Sequence, residues 1–124
     1  NTLSNEEAAI RQQSGKYFLK ETKRIPLLTI ENIINSHFNG ITPHLVSLDV
    51  EGVDYLVLQS FDFIKYPVPV WIVETCEYYE TQKKQKITSI IELMQTKGYF
   101  IYGDTYVNTI FVNKNWFYNY ASKS

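Results

Sequence analysis

Four apolar stretches along this chain predict strands. The runs 45–50 and 70–74 are almost continuously apolar and rich in β-branched residues, a pattern typical of strands covered on both faces in a parallel sheet. Shorter runs at 99–102 and 108–112 predict a third and a fourth strand. The chain therefore carries the strands of one sheet, and the two longest apolar runs should form its buried part.

Helical spacing of apolar residues predicts helices between and before these strands. Polar caps and glycines mark the helix ends, because a cap satisfies the first amides and glycine adopts the left-handed conformation that ends a helix. The predicted helices follow Ser4 and end near Gly15, follow Thr29 and end at Gly40, span 54–60, and include Ile87, Ile90, Ile91 and Met94 before ending at Gly98.

The order of these elements predicts an α/β fold. Strands alternating with helices are typical of right-handed crossovers that build a parallel sheet. Gly103 and Asp104 are expected to break the third strand, and only a few residues then separate it from the fourth. That gap is too short for a crossover, so the last strand should run antiparallel. We therefore predict a mostly parallel sheet with one antiparallel strand.

The size and charge of the chain limit the classes of function. Its 124 residues are the size of one small domain, and a formal net charge of −1 gives no reason to expect nucleic acid or a membrane as a partner. No apolar run reaches membrane-spanning length, no signal peptide is present, and Cys76 is the single cysteine, so a cytoplasmic location is expected. The chain begins at Asn1 rather than methionine, which predicts further sequence upstream.

Acidic residues stand at the ends of the two most apolar predicted strands. Asp49 ends the first and Glu74 the second, and open parallel sheets bind ligands outside the carboxyl ends of their strands. Glu51 shares a face with Asp49 if the backbone stays extended, and Gly52 permits a sharp turn or a close approach to a ligand. An acid at a strand end also commonly caps the following helix, so both interpretations stand at this point.

Other polar and aromatic residues give weaker indications. His37 and His44 lack metal-ligand spacing to each other or to Cys76, so no zinc site is expected. The carboxylates of Asp49, Glu51, Glu74 and Glu77 could hold a hard divalent ion, but solvated or helix-capping acids are the favoured interpretation, and no metal ligand is assigned. The lysines within 83–86 are expected at a solvated helix start, and the aromatic residues within 116–120 are expected to pack as a tail. The sequence contains no glycine-rich phosphate or dinucleotide loop.

The segment Leu-Val-Ser-Leu-Asp-Val-Glu-Gly at 45–52 resembles the "(I/L)DVEG" element of the FkbM family of S-adenosylmethionine-dependent methyltransferases, where it ends the fourth core strand. At 30–32 the chain has Ile-Glu-Asn where the family has Leu-Asp-Asp, and Asp54 stands where the family often has an acid after this element. Further resembling segments follow the family order: 26–34 resembles "P…TLDDLL", 56–60 "EVLKS", 70–75 the fifth strand, 97–99 "KGY" and 104–112 "DTxxNxIFV".

This resemblance implies a Rossmann-like methyltransferase sheet that is partial in this chain. Residues 1–124 would form the C-terminal part of the domain, and the N-terminal cofactor-binding strands with their "DVGAN" loop would be absent. The implied activity is transfer of a methyl group from S-adenosylmethionine to a hydroxyl group of a small molecule or glycan, such as a sugar or a secondary metabolite. The fragment alone is expected to be inactive. A non-catalytic α/β binding or assembly module is the alternative interpretation.

The resemblance also leads to predicted site residues, although the residues that would bind the cofactor stay unassigned. Asp49 and Glu51 are the predicted catalytic residues, with Asp49 as proton acceptor or orienting group and Glu51 in support. Glu74 and Asn108 are predicted to bind the methyl acceptor.

By the implied topology, the strand at 45–50 lacks a neighbour on one side. An apolar edge without lysine or proline invites pairing with another strand. We therefore expect either a homodimer through this exposed sheet edge or coverage by the N-terminal segment, residues 1–28, part of which is extended around Pro26.

Overall fold

The computed structural model describes residues 5–50, 52–78, 84–121 and 123, and within them helices alternate with strands. The elements in chain order are α1 (Asn5–Gln13), α2 (Ile30–His37), β1 (Leu45–Leu48), α3 (Asp54–Ser60), β2 (Val70–Glu74), β3 (Cys76–Tyr78), β4 (Lys84–Lys86), α4 (Thr88–Thr96), β5 (Tyr99–Asp104), β6 (Asn108–Asn113) and α5 (Lys114–Ala121). In these parts of the chain, no helix has the length and apolarity needed to cross a membrane.

A four-stranded mixed sheet with the order β1-β2-β6-β5 organises the described residues. The β1 and β2 strands pair in parallel, whereas β6 is antiparallel to both of its neighbours, β2 and β5. Since β6 runs opposite to β2 and β5 runs opposite to β6, the strands β1, β2 and β5 share one direction. The prediction that the last strand is reversed is therefore confirmed. Because that strand lies inside the sheet, one of the three pairings is parallel and two are antiparallel, so the sheet is mixed rather than mostly parallel.

The core lies where helices cover one face of the sheet. Trp71 and Phe111 are direct cross-strand partners on β2 and β6, and both are fully buried. Helices α3 and α4 contribute Leu58, Ile90 and Met94 to the same cluster, each at most 1% exposed. Burying one such side chain stabilises the fold by about 1.5–3 kcal/mol, so this face accounts for much of the stability.

Helix α2 joins this core through a capped start and two tertiary hydrogen bonds. The Thr29 hydroxyl accepts from the Asn32 amide, and the Asn32 side chain accepts from the Thr29 amide, which forms a capping box. The Asp62 amide donates to Glu31 at 3.0 Å. The Tyr66 hydroxyl donates to Asn35 at 3.0 Å. The side chains at 31 and 32, which depart from the family pattern, thus act in helix capping and loop attachment.

Strand β1 is less buried than its apolar sequence predicts. It ends at Leu48, and along it Leu45 is 51% exposed and Ser47 is also exposed. The prediction of burial on both faces is wrong for this strand, because β1 is the edge strand of the described sheet and has only β2 beside it.

Strand β5 is longer than predicted. Gly103 and Asp104 do not break it; they continue the pairing with β6 after an irregularity between Ile101 and Gly103. The extra residue of such an irregularity bends a strand without ending it. As a result, Asp104 is held in the sheet, beside the strands that carry the predicted site.

The structure contains elements that the sequence did not predict: the strands β3 and β4 after β2, and the helix α5 after β6. The antiparallel strands β3 and β4 pair with each other after β2, so Lys86 lies in a strand, and α4 begins only at Thr88. The expectation of a helix start at these lysines is wrong for Lys84 and Lys86, while Lys83 lies outside the described residues. The aromatic tail forms α5, whose Phe117 ring packs edge-on against Phe100 at 5.3 Å between centroids.

Candidate functional site

Three of the four predicted site residues meet at one edge of the sheet. Leu48 and Val73 are register partners on the parallel strands β1 and β2, so Asp49 follows the end of β1 next to Glu74, the last residue of β2. Glu74 is also the direct cross-strand partner of Asn108, the first residue of β6. Directly opposed residues project from the same face, which places this carboxylate next to this amide. Glu51 lies outside the described residues.

The loop that carries Asp49 is held in place by Asp54, the first residue of α3. The Val50 amide donates to one Asp54 carboxylate oxygen at 3.2 Å, and the Gly52 amide donates to the other at 3.4 Å. Gly52 has a φ of 98°, a conformation that side chains rarely adopt. The loop 49–54 thus turns on a glycine and closes on a buried carboxylate.

Asp54 and Asp49 occupy very different environments in this loop. Asp54 is 6% exposed, and burial raises its pKa, against the effect of the amides of Val50 and Gly52 and with a smaller contribution from the charge of Asp49. Asp49 is exposed, and its carboxylate forms no hydrogen bond to another described residue. The residue at the N-cap of α3 is Val53, which makes no side-chain cap. Asp49 is therefore not the capping residue of this helix, and its carboxylate is available for other contacts.

At the end of the same strands, Lys86 forms a cluster with Thr75, Thr109 and Asp104, which is called the lysine cluster below. Thr75 and Thr109 are fully buried and their hydroxyls hydrogen-bond to each other. Lys86 donates to Thr75 at 3.1 Å, to Thr109 at 3.2 Å and to Asp104 at 2.8 Å. An ammonium group has three donors, so these three contacts satisfy it completely.

The lysine cluster fixes the turn between β5 and β6. The hydrogen bond from Lys86 is the main reason why the pKa of Asp104 lies below its usual range. The same Asp104 oxygen accepts from the Tyr106 amide at 2.6 Å. The Thr75 amide donates to the Val107 carbonyl at 2.9 Å, which ties this turn to the end of β2. The turn is therefore attached to the strand that carries Glu74.

Sequence reasoning did not find this lysine cluster. Lys86 is separated from Thr75 by 11 residues and from Thr109 by 23, and no local pattern joins them. The one usable signal was the position of the two threonines, each next to a predicted site residue at the end of an apolar strand. A hydroxyl buried at such a position needs a partner, and a nearby lysine is one candidate.

The described residues also contain a cavity of about 520 Å³ at the other edge of the sheet, lined by Phe61, Asp62, Phe63, Ile64, Thr96 and Lys97. These residues lie just after α3 and at the end of α4, before the amino ends of β2 and β5. The cavity contains none of the predicted site residues. In the part of the chain that is described, no three His, Cys, Asp or Glu side chains are grouped as metal ligands.

Comparison with known proteins gives one match. The family described as the methyltransferase FkbM domain matches residues 1–101. The segment 104–112 lies beyond the matched residues, so its resemblance to the family pattern stays a prediction. No curated protein and no solved structure matches the chain. Because the match covers well over half of the 124 residues, the chain belongs to the FkbM methyltransferase domain family.

Proposed function

We propose that this chain is the acceptor-binding part of an S-adenosylmethionine-dependent methyltransferase with a Rossmann-like domain, and that the enzyme methylates a hydroxyl group of a sugar or a secondary metabolite. The observation that carries the proposal is the family match over residues 1–101. It is supported by the position of Asp49, Glu74 and Asn108 together at the carboxyl edge of the sheet, where α/β enzymes bind their ligands.

Each of these residues has a role that its position supports. Asp49 accepts the proton of the acceptor hydroxyl or orients that hydroxyl, because its carboxylate is exposed while Asp54 holds its loop. Glu51 assists it. Asn108 offers an amide that can both donate and accept, and Glu74, opposite it, accepts from hydroxyl groups of the acceptor. The methyl acceptor is thus held between a proton acceptor and a pair of polar side chains.

The chain supplies only one side of a cofactor site. S-adenosylmethionine would supply the sulfonium methyl group of the reaction. Nucleotide cofactors are commonly cradled by a glycine-rich loop, and the five glycines of this sequence are all separate from one another. The carboxyl edge of β1 and β2 fits the acceptor side of the reaction. The sequence contains no glycine-rich loop that could form such a cradle, and we therefore assign no cofactor contact to this chain.

Methyl transfer by the full-length protein tests the proposed function. The protein is incubated with S-adenosylmethionine labelled at the methyl group and with a panel of methyl glycosides and hydroxylated aromatic compounds, and products are identified by mass spectrometry. The expected result is label on an oxygen atom of at least one acceptor class. Label on nitrogen or carbon, or no transfer to any hydroxyl compound, would contradict the proposal.

Binding of the cofactor by the isolated 124-residue chain is expected to be weak, because the sequence lacks the glycine-rich loop. Titration calorimetry with S-adenosylmethionine measures this directly. The full-length protein is the control and should bind far more tightly. A dissociation constant of about 1–10 µM for the isolated chain, a free energy near −7 to −8 kcal/mol, would show that it contains a complete cofactor site.

A further inference from the structure

The segment between α1 and α2 exposes a run of apolar side chains to solvent. Residues 16–28, which we call the basic arm, lie outside every helix and strand of the described structure, and all of them are exposed. Phe18 is 88% exposed and Leu27 is 81% exposed. The other large apolar residues of the arm are each more than half exposed: Tyr17, Leu19, Ile25 and Leu28. Apolar surface of this kind marks sites that bind a protein partner, a ligand or a membrane.

The basic arm also concentrates positive charge. It contains four cations and one acid, Glu21, so its net charge is +3. The cations are Lys16, Lys20, Lys23 and Arg24. Because the whole chain has a net charge of −1, the residues outside the arm carry −4. The small net charge, which gave no reason to expect a membrane as a partner, is therefore the sum of a positive arm and a negative remainder.

The positive charge of the arm is not neutralised in the described part of the chain. Lys23 pairs with Glu21 at 3.2 Å, but the two side chains are 70% and 62% exposed, and an exposed pair of this kind contributes little. Lys16, Lys20 and Arg24 form no ion pair with another described residue. The arm thus presents unpaired cations and exposed apolar side chains on one short segment.

We propose that the basic arm attaches the protein to the surface of a membrane that contains anionic lipids. Such a surface offers a partner to both kinds of side chain. The headgroups attract cations, and the boundary between headgroups and acyl chains takes up apolar and aromatic side chains. Lysine and arginine side chains are long enough to keep their charges among the headgroups while their apolar neighbours lie deeper.

The mixture of residues in the arm favours lipid over two other kinds of partner. Burial of the arm against protein would remove four cations from water, and a buried charge is costly unless it is paired. A nucleic acid would attract the cations and could stack its bases on Tyr17 and Phe18. It would offer little to Leu19 and Leu27, whereas a lipid boundary accepts aliphatic and aromatic side chains alike.

Flotation of the full-length protein with vesicles tests the proposal. One set of vesicles contains phosphatidylcholine alone, and the other contains phosphatidylcholine with one third phosphatidylserine. The native protein should bind the phosphatidylserine vesicles and leave the neutral vesicles unbound. Binding should decrease when the salt concentration is raised from about 0.1 M to about 0.5 M, because salt screens the attraction between the arm and the headgroups.

Removal of charge from the arm should weaken vesicle binding strongly. Each basic residue near an anionic surface changes the affinity about fivefold, so a variant that combines Lys16→Gln, Lys20→Gln and Lys23→Gln should bind about a hundredfold more weakly. The matched control removes the same charge from exposed positions outside the arm and should change the affinity by less than about fivefold. It combines Lys97→Gln, Lys114→Gln and Lys123→Gln.

Removal of one ring from the arm tests the apolar contribution separately. Phe18→Ser keeps every charge and should weaken binding to the phosphatidylserine vesicles about tenfold, since the ring no longer enters the lipid boundary. The thermal midpoint of this variant should be close to that of the native protein, because Phe18 is 88% exposed and supports no other part of the fold.

Trypsin digestion of the native full-length protein shows whether the arm is covered. Trypsin cleaves after lysine and arginine, and the arm contains four such sites. Cleavage within residues 16–24 should be rapid in solution, since exposed segments without secondary structure are preferred sites of proteolysis. Phosphatidylserine vesicles should protect these sites, and phosphatidylcholine vesicles should not.

Several results would overturn the proposal. They are a native protein that does not bind phosphatidylserine vesicles or binds neutral vesicles equally well, a control variant that loses as much affinity as the arm variant, a Phe18→Ser protein that binds as the native protein does, and an arm that resists trypsin without vesicles. A higher affinity for oligouridylate than for the phosphatidylserine vesicles would overturn it in favour of a nucleic-acid partner. None of these measurements depends on methyl transfer, so the proposal and the proposed function can fail separately.

Discussion

The two outer strands of the sheet each end in a segment that is organised by one aspartate, and the two aspartates work in opposite ways. In the loop 49–54, after β1, Asp54 is buried and accepts from backbone amides. In the turn 104–108, after β5, Asp104 is exposed and pairs with the ammonium group of Lys86. Burial raises the pKa of Asp54, whereas the hydrogen bond from Lys86 lowers that of Asp104.

The contrast shows how a fold can hold two segments at the same end of a sheet by independent means. Backbone amides carry no net charge, so the loop 49–54 should keep its shape over a wide range of salt concentration. The ion pair at the turn 104–108 is partly exposed, and salt screens such pairs. Between the two segments lie Glu74 and Asn108, and the exposed Asp49 follows β1 at the same end of the sheet.

The largest expected effect, on turnover, belongs to Asp49, whose carboxylate forms no hydrogen bond to another residue that the structure describes. In the full-length enzyme, Asp49→Asn should reduce turnover about a hundredfold or more, the usual scale for loss of a general base, which corresponds to about 2.7 kcal/mol of activation free energy. Stability should be unchanged or slightly higher, because the charge of Asp49 contributes to the raised pKa of its buried neighbour Asp54.

Turnover and urea denaturation of the same preparation measure both quantities for Asp49→Asn. The control is Glu92→Gln, which removes the same charge from an exposed position of α4. Near-normal turnover of Asp49→Asn on the true acceptor would remove Asp49 from the catalytic residues.

The next largest effect is a loss of stability when Asp54 is replaced. Its replacement by alanine removes the acceptor of the Val50 and Gly52 amides, and a hydrogen bond to a charged group contributes about 1.5–3 kcal/mol. We therefore expect Asp54→Ala to lower the free energy of unfolding by roughly 2 kcal/mol, as measured by urea denaturation. Asp54→Asn keeps one acceptor oxygen and should lose less than half as much. Equal losses in the two variants would show that one acceptor oxygen and the shape of the side chain are not enough, and that the loop needs both carboxylate oxygens or their charge.

The opposite pKa shifts predict opposite pH dependences. For Asp104, with a lowered pKa, the stabilising contribution is present above its ordinary pKa of 3.8 and is lost as the pH falls through its folded pKa. For Asp54, with a raised pKa, the charged form is disfavoured by folding, so its contribution improves as the pH falls through the folded pKa towards 3.8.

Denaturation of native, Asp104→Asn and Asp54→Asn protein across the acid range tests this pair of signs. As the pH falls, the advantage of the native protein over Asp104→Asn should shrink, while the native protein should gain relative to Asp54→Asn. If the native protein changed in the same direction relative to both variants as the pH falls, the opposite pKa shifts of Asp104 and Asp54 would be contradicted.

The parts of the fold that the sequence predicted are those determined by residues close together in the chain. Helix α3 has its predicted bounds, Asp54–Ser60, and α2 begins after its predicted cap, Thr29. The reversal of the last strand followed from the short gap before it, since no crossover fits into a few residues. Each of these predictions depends on residues that are close together in the chain.

The parts that sequence missed depend on distant partners or on unusual local conformations. Strand β4 has the sequence Lys-Gln-Lys, which carries no apolar pattern, and it forms through its pairing with β3. Tyr106 has a φ of 75°, where rules for turns favour glycine, so they do not predict this conformation. For the site, the acids at strand ends were predicted to lie together and do so for Asp49 and Glu74, because parallel strands bring their carboxyl ends to one edge.

The smallest expected effect concerns association of copies of the chain through the outer edges of β1 and β5. On β5, the irregularity between Ile101 and Gly103 interrupts a regular edge, which is a common protection against pairing with another chain. No irregularity is found in the pairing of β1, whose Leu45 and Ser47 are exposed. We therefore propose that copies of the chain associate weakly through β1, since no described residue other than those of β2 pairs with it.

Sedimentation over a concentration series detects this association. A lysine on an edge strand disfavours edge-to-edge pairing, so Ser47→Lys should shift the protein towards the monomer and change the free energy of unfolding by no more than about 0.5 kcal/mol. Gln59→Lys adds the same charge to an exposed position of α3 and should leave the association unchanged. A native protein that stays monomeric while the amides of β1 exchange freely with solvent would show that this edge is neither paired nor covered. The difference between the two outer strands would then have no consequence for assembly. The irregular pairing of β5 would reflect only the geometry of the turn that follows it.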